Sequence, residues 1–134
     1  MADTICTHEE ATIRAFIQKN RQERCLALLA NPKRRRAFTG ELAHFKWLDE
    51  RFAIPIPSST AHTVKEIAAL LRRKGAGGTV WAISEDRDID GKELELEATL
   101  SHIWGRGIGT ILSCLPGKLG YFEDEDYSRL LERK

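Results

Sequence analysis

Residues 86 to 97 read DRDIDGKELELE and carry the residue types of a calcium-binding loop at the required spacing. In such a loop three alternating acids surround the ion, a glycine makes a sharp turn, and a final glutamate binds with both oxygens. The matching residues are Asp86, Asp88, Asp90, Gly91 and Glu97. One or two of these carboxylates would also suffice for Mg²⁺, which keeps several of its waters. A Ca²⁺ or Mg²⁺ site is therefore one hypothesis for this stretch.

A second interpretation makes the same stretch the start of a helix. Asp90 and Glu93 have the spacing of a capping box, with Gly91 as the first helical residue. The motif occurs once, and it follows a predicted strand where a calcium loop of this type would follow a helix. The two interpretations conflict at Gly91, because the calcium turn favours a positive φ and the helix needs a negative one. We expect the capped helix.

The acids also suggest catalysis. In open sheets, ligands gather beyond the carboxyl ends of parallel strands, and four acids follow the predicted strand TVWAIS directly. They are Glu85, Asp86, Asp88 and Asp90. Carboxylates clustered at such an edge could hold a metal for hydrolytic or phosphoryl chemistry. A metal-assisted hydrolase or nuclease is thus one alternative. A solvated acidic turn is the simpler explanation, since spacing ties no nucleophile or histidine to the acids.

Two further motifs permit chemistry less readily. Cys114 would act as a nucleophile if a histidine approached it in the fold. The candidates are His44, His62 and His102. Cys114 lies in the apolar run TILSCL, however, where cysteine usually packs as a small hydrophobe. GRGIGT, residues 105–110, has the glycines of a phosphate loop but closes a predicted helix instead of opening one, so Gly105 is interpreted as a helix stop.

The strongest basic cluster is the run Lys33, Arg34, Arg35 and Arg36. The preceding Asn-Pro pair predicts a helix that begins here, so the four cations would lie in its first turn, against the positive end of the helix dipole. A bound phosphate or nucleic acid would relieve that repulsion. The cluster meets only the electrostatic criterion for nucleic-acid binding, because no stacking aromatic residues are interleaved with it.

The composition indicates one globular domain over residues 1–134, with 42% hydrophobic and 31% charged residues. Residues 1–75 carry a net charge of +6 and residues 76–134 one of −5, which predicts either attraction between the halves or a surface for a polyanion. Three cysteines without CxxC spacing favour neither a disulfide framework nor a zinc site. We expect a cytoplasmic protein, because no apolar run could cross a bilayer and no signal-peptide pattern is present.

The elements that would position these residues fall into two halves. Residues 7–75 have helical spacing: a first helix begins with a capping box at Thr7 and contains a polar break, and a second covers residues 33–50. A third helix begins with a capping box at Thr63 and ends at the glycines of GAGG. The prolines of RFAIPIPSST predict an extended connection before it.

Residues 78–124 are predicted to form a strand, a helix, a second strand, a turn and a third strand. The strands are TVWAIS, TILSCL and KLGYFE, the helix is ELEATLSHIW, and Pro116-Gly117 makes the turn. Parallel pairing of the first two strands would require a right-handed crossover through the helix. The tail after residue 124 is predicted to be a short helix. The expected fold is α+β, with N-terminal helices packed on a three-stranded mixed sheet.

The segments RFAIPIPSS, AISEDRDIDGKEL and GRGIGTILSCLPGKLGYFE resemble small uncharacterised bacterial proteins over roughly residues 14–125. The resemblance implies a free-standing small bacterial protein and brings no ligand or catalytic residue with it. The leading hypothesis is a small intracellular binding or regulatory protein, in preference to an enzyme, that acts through a protein or nucleic-acid partner. The alternatives are the metal-assisted hydrolase and the calcium-binding loop.

Overall fold

A computed structural model describes residues 6–56 and 63–133. Within these residues, three α-helices and a 3-10 helix come before the first strand, and two more α-helices lie between strands. They are α1 (Thr7–Phe16), α2 (Lys19–Ala30), α3 (Arg35–Thr39), α4 (Val64–Arg73) and α5 (Leu96–Ile103), with a 3-10 helix at Gly40–His44. None of them is both long enough and apolar enough to span a membrane.

Six strands of the described residues form one antiparallel sheet in the order β1-β6-β5-β4-β2-β3. They are β1 (Ala53–Pro55), β2 (Thr79–Ser84), β3 (Lys92–Glu95), β4 (Thr110–Leu115), β5 (Leu119–Glu123) and β6 (Ser128–Glu132). The predicted α+β class is consistent with this structure, but the three-stranded mixed sheet is wrong. Three short strands were missed: β3 lies in the predicted fourth helix, β6 in the predicted helical tail, and β1 in the extended connection.

The predicted parallel crossover is also wrong, because β2 pairs antiparallel with both of its neighbours. After β2 the chain turns back to form β3, which runs antiparallel to β2. Helix α5 then carries the chain back along the sheet, so that β4 also runs antiparallel to β2. The hairpin at Pro116-Gly117 is confirmed, and Gly117 takes the positive φ of 73° that this turn requires.

The sheet is covered on both faces. One face packs against α1, α2 and α3 and contributes Ile83, Ile111 and Phe122 to that core. The other face packs against α4 and α5 through Val80, Leu112 and Tyr121. Because side chains alternate along a strand, the runs TVWAIS and TILSCL are apolar on both faces, as the sequence predicts.

The helix ends agree only partly with the sequence patterns. Thr63 caps α4 by accepting a hydrogen bond from the N–H of Glu66, which confirms Thr63 as the start of that helix. Cys6, not Thr7, caps α1. The polar break falls earlier than its most polar residues, at Ile17-Gln18, where Ile17 forms an isolated antiparallel bridge with Leu48. The predicted second helix is reduced to α3 and the 3-10 turn that follows it.

Candidate functional site

Gly91 lies in a turn and not in a helix, so the capped helix expected at Asp90 is wrong. Its φ is +71°, and its N–H donates to the carbonyl oxygen of Ala82 to close the β2–β3 hairpin. The following helix, α5, begins five residues later at Leu96. Its cap is Glu95, whose carboxylate accepts from the N–H groups of Glu97 and Ala98. Gly91 takes this turn conformation because the chain after β2 folds back to form β3, which pairs with β2.

Three of the four proposed calcium ligands, Asp86, Asp90 and Glu97, point to different partners. Asp90 accepts two hydrogen bonds from the Arg35 guanidinium, at 2.7 and 3.0 Å. Asp86 Oδ2 lies 2.6 Å from His102 Nε2, and this hydrogen bond, together with the N–H of Asp88, lowers the pKa of Asp86. Glu97 pairs with Arg72 of α4 at 2.8 Å. An ion in this loop would have to displace Arg35 and His102, so the metal site stays a prediction without geometric support.

Within residues 6–56 and 63–133, one group of three metal-ligand side chains lies close together: His44, Glu125 and Asp126, all exposed. His44 Nε2 lies 2.7 Å from Glu125 and Nδ1 lies 3.0 Å from Asp126. The Asp126 hydrogen bond and the charge of Glu125 raise the pKa of His44. Because the two ring nitrogens face different carboxylates, this geometry fits an imidazolium between two acids better than three ligands on one ion.

The acids proposed for hydrolysis have separate roles. Glu85 forms two hydrogen bonds with Gly109, the residue before β4. Its carboxylate accepts from the N–H of Gly109 at 2.7 Å, and its own N–H donates to the Gly109 carbonyl oxygen. Asp88 is exposed, and its N–H donates to Asp86 Oδ1. The premise of that hypothesis, the carboxyl edge of a parallel sheet, does not hold here. The structure does bring a histidine to the acids, since His102 reaches Asp86 from α5.

The basic cluster is divided between the interior and the surface. Arg35 forms hydrogen bonds to both carboxylate oxygens of Glu9, at 2.8 and 2.5 Å, in addition to its two bonds with Asp90. Lys33, Arg34 and Arg36 are exposed, and Arg36 donates to the Glu85 carbonyl oxygen. The helix begins only at Arg35, so the predicted crowding of four cations in its first turn is wrong. Anion binding by the three exposed members stays a prediction.

Cys114 is buried on the face covered by α4 and α5. Burial raises the pKa of its thiol to about 12, whereas a cysteine nucleophile needs thiolate character near neutral pH. The structure therefore gives the proposed catalysis no support. Of its proposed partners, His44 and His102 pair with acids instead, and His62 lies outside the described residues.

A concave pocket lies where the chain leaves α5 and where β5 turns into β6. Its volume is about 590 Å³, and it is lined by residues 104–107, by Tyr121 and by residues 123–128. We call it the acidic pocket, because its lining includes four acids and one basic residue. The charged residues are Arg106, Glu123, Asp124, Glu125 and Asp126. Trp104, whose side chain packs partly against the core, also belongs to the lining.

A row of polar side chains crosses the sheet at this end. Pairing places Ser84 opposite Thr110, Thr110 opposite Glu123, and Glu123 opposite Ser128. Paired residues share a face, so all four side chains point toward the α5 side, and Ser84 and Thr110 are bonded at 2.8 Å. Glu123 and Ser128 are the members that reach the acidic pocket. The strands β2, β4, β5 and β6, which are otherwise largely apolar on this face, thus each have a polar side chain at the end of the sheet nearest the pocket.

Glu123 forms the buried part of the pocket and is only 7% exposed. Burial raises its pKa, although hydrogen bonds from the Tyr121 hydroxyl, at 2.7 Å, and from the Gly105 backbone act in the opposite direction. Burial and the charge of Glu123 raise the pKa of Tyr121 as well, so the phenol remains the donor. The pair can hold a proton or accept a hydrogen bond from a bound group.

Asp124, beside it, is 5% exposed and only half satisfied. Its Oδ1 accepts from the N–H groups of Asp126 and Tyr127, at 2.8 and 3.0 Å, and fixes the turn between β5 and β6. Its Oδ2 has no hydrogen-bond partner among the described residues. A buried acceptor left unpaired costs about 1–3 kcal/mol.

This site was not predicted from the sequence, although two of its signals are visible in the letters. The run YFEDED places acids at the end of a buried strand, and GRG places glycines at a helix end. Gly105 does end α5, with a φ of +72°, as predicted. Burial of Glu123 could not be predicted, because it depends on the loop that packs over it.

In chemical terms the acidic pocket can accept a cation, and its buried carboxyl can exchange a proton. Comparison with protein-family models, curated proteins and solved structures finds no match to this chain. The properties of the pocket therefore rest on the geometry of its own residues.

Proposed function

We propose that this chain is a binding protein that receives a cationic side chain of a protein partner in the acidic pocket. The observation that carries the proposal is the charge of the lining, whose four acids include the nearly buried Asp124. A lysine ammonium or an arginine guanidinium would supply the compensating charge.

The charge of the lining supports a cation over an anion. Four acids and one arginine give the pocket a formal charge of −3 when all are ionised. Concave sites lined by one sign of charge concentrate ligands of the opposite sign. Trp104 adds an aromatic ring, a surface on which cations bind well.

The lining supports binding more directly than catalysis. Of the described residues that line the acidic pocket, none is a histidine or a cysteine, the usual base and the strongest nucleophile. The acidic loop at residues 85–90, on which a metal-assisted mechanism would depend, directs its carboxylates to Arg35, His102 and Gly109. That alternative therefore lacks a shared centre.

The test uses Nα-acetyl-L-arginine amide, which presents a guanidinium and no other charge. Addition of this probe to the full chain should shift the amide resonances of residues 104–107 and 121–128 and the Trp104 indole resonance in proton–nitrogen spectra. Glu123→Gln keeps the shape and the hydrogen bond from Tyr121 but removes the charge, and it should weaken binding roughly tenfold.

The matched control is Glu93→Gln, an exposed acid on β3 that does not line the acidic pocket. It should bind the probe as the unmodified chain does. Shifts that avoid the pocket residues, or equal binding by the Glu123→Gln and Glu93→Gln variants, would contradict the proposed function.

A further inference from the structure

The geometry points to a ligand that carries a carboxylate next to its cation, with Arg106 as the residue that binds the carboxylate. This inference rests on the proposed function and adds the chemical class of the ligand. A basic residue at the carboxyl terminus of a polypeptide has both groups, and so does a free basic amino acid.

Arg106 is an exception among the charged groups of the acidic pocket. It lines the pocket with four acids. Its backbone N–H donates to the Ile103 carbonyl oxygen, but its guanidinium forms no hydrogen bond or ion pair with any residue in the described ranges. Its electrostatic influence is on Asp86, whose pKa is lowered first by the His102 hydrogen bond and only weakly by the charge of Arg106. The guanidinium is exposed and has five donors to offer.

Two glycines flank Arg106 in the loop that lines the pocket. Gly105 and Gly107 on either side of it have φ values of +72° and +68°, a conformation that glycine adopts readily. A Cβ on Gly107 would lie 3.0 Å from the Cβ of Glu125, so this loop packs closely against the β5–β6 turn. The loop that carries Arg106 therefore lies directly against the turn that carries the acids.

Arginine and carboxylate form paired, parallel hydrogen bonds, which give both energy and orientation. A ligand with its side-chain cation among the acids and its carboxylate on Arg106 would be bound at both ends. An arginine or lysine within a polypeptide lacks the carboxylate and would lose that second contact. Arg106 therefore distinguishes a terminal basic residue from an internal one.

The experiment compares Nα-acetyl-L-arginine, which has the carboxylate, with Nα-acetyl-L-arginine amide, which does not. The acid should bind the full chain about fivefold to tenfold more tightly than the amide. Arg106→Ala should abolish that difference and leave the amide's affinity equal or higher. The control is Arg87→Ala, an exposed arginine of the β2–β3 loop outside the pocket lining, which should retain the difference.

The outcomes separate the two proposals. Equal affinity for acid and amide in the unmodified chain, or a difference that survives Arg106→Ala, overturns the inference while cation binding stands. If neither compound binds at the pocket, the proposed function fails and the inference fails with it. Acetyl-Gly-Gly-Arg and free L-arginine then distinguish the source of the carboxylate, since preference for the peptide supports a chain end and preference for arginine supports the free amino acid.

Discussion

Arg35 should be the most sensitive charged residue of the chain to substitution. It joins three parts of the fold: Glu9 at the start of α1, Asp90 in the β2–β3 hairpin, and its own helix α3. Trp81 of β2 donates its indole N–H to the same Glu9 at 2.8 Å. Arg35→Ala would leave two carboxylates without their cation, and Glu9 would remain buried.

The expected loss follows from the exposure of the three side chains. Arg35 is 19% exposed, Glu9 is 3% and Asp90 is 12%, so water screens these charges little. Removing one partner of a buried ion pair typically costs about 3–5 kcal/mol, since the remaining charge is uncompensated. We expect Arg35→Ala to fall in that range and to lower the melting temperature by roughly 10–20 °C.

Urea unfolding measures this free energy, with an unchanged m-value as the sign that the folded state keeps its compactness. The matched control is Arg34→Ala, an exposed neighbour in the same cluster, which should change stability by less than about 0.5 kcal/mol. The combined Glu9→Gln and Arg35→Met change should be less harmful than Arg35→Ala alone, by about 1 kcal/mol or more. A loss below about 1 kcal/mol for Arg35→Ala would refute the reasoning.

Two further predictions concern the elements around the acidic pocket. Gly109→Ala should destabilise the fold by about 3 kcal/mol or more, because its Cβ would lie 2.3 Å from the Leu42 carbonyl. Gly77→Ala, whose Cβ meets nothing within 4 Å, is the control, and equal effects in urea unfolding would contradict the structure. Glu123 has a folded-state pKa above its unfolded value near 4.5, so the folded state binds more protons and stability falls as pH rises through that interval. Glu123→Gln should therefore stabilise the chain more at pH 7 than at pH 4, and unfolding curves that shift equally at both values would exclude this linkage.

The sequence pattern was sufficient where burial alone decides the element. TVWAIS, TILSCL and LGYFE are apolar on both faces and form central strands, and the amphipathic spacing after Thr63 forms α4. The pattern failed for KELE and SRLLE, which consist of residues that also suit helices. Their strand conformation comes from pairing with β2 and β5, and single-sequence propensity does not include that contribution.

The candidate site was harder to predict for the same reason. The letters of DRDIDGKELELE match a calcium loop. In the structure, however, the Asp90 carboxylate accepts hydrogen bonds from Arg35, 55 residues away, and the Asp86 carboxylate is hydrogen-bonded to His102. Neither partner has a fixed spacing from the motif. Glu123 was predicted only as the end of the strand KLGYFE, because the loop at residues 104–107, which lines the same pocket, comes from another part of the chain.

The two outermost strands bear on self-association. β1 has only three residues and includes Pro55, and β3, at the opposite rim, exposes Lys92, Glu93 and Glu95. Short length, proline and charge each discourage another chain from adding a strand, which is the usual route by which open sheets aggregate. Both rims of this sheet are therefore protected, and a partner gains little by extending it edge to edge.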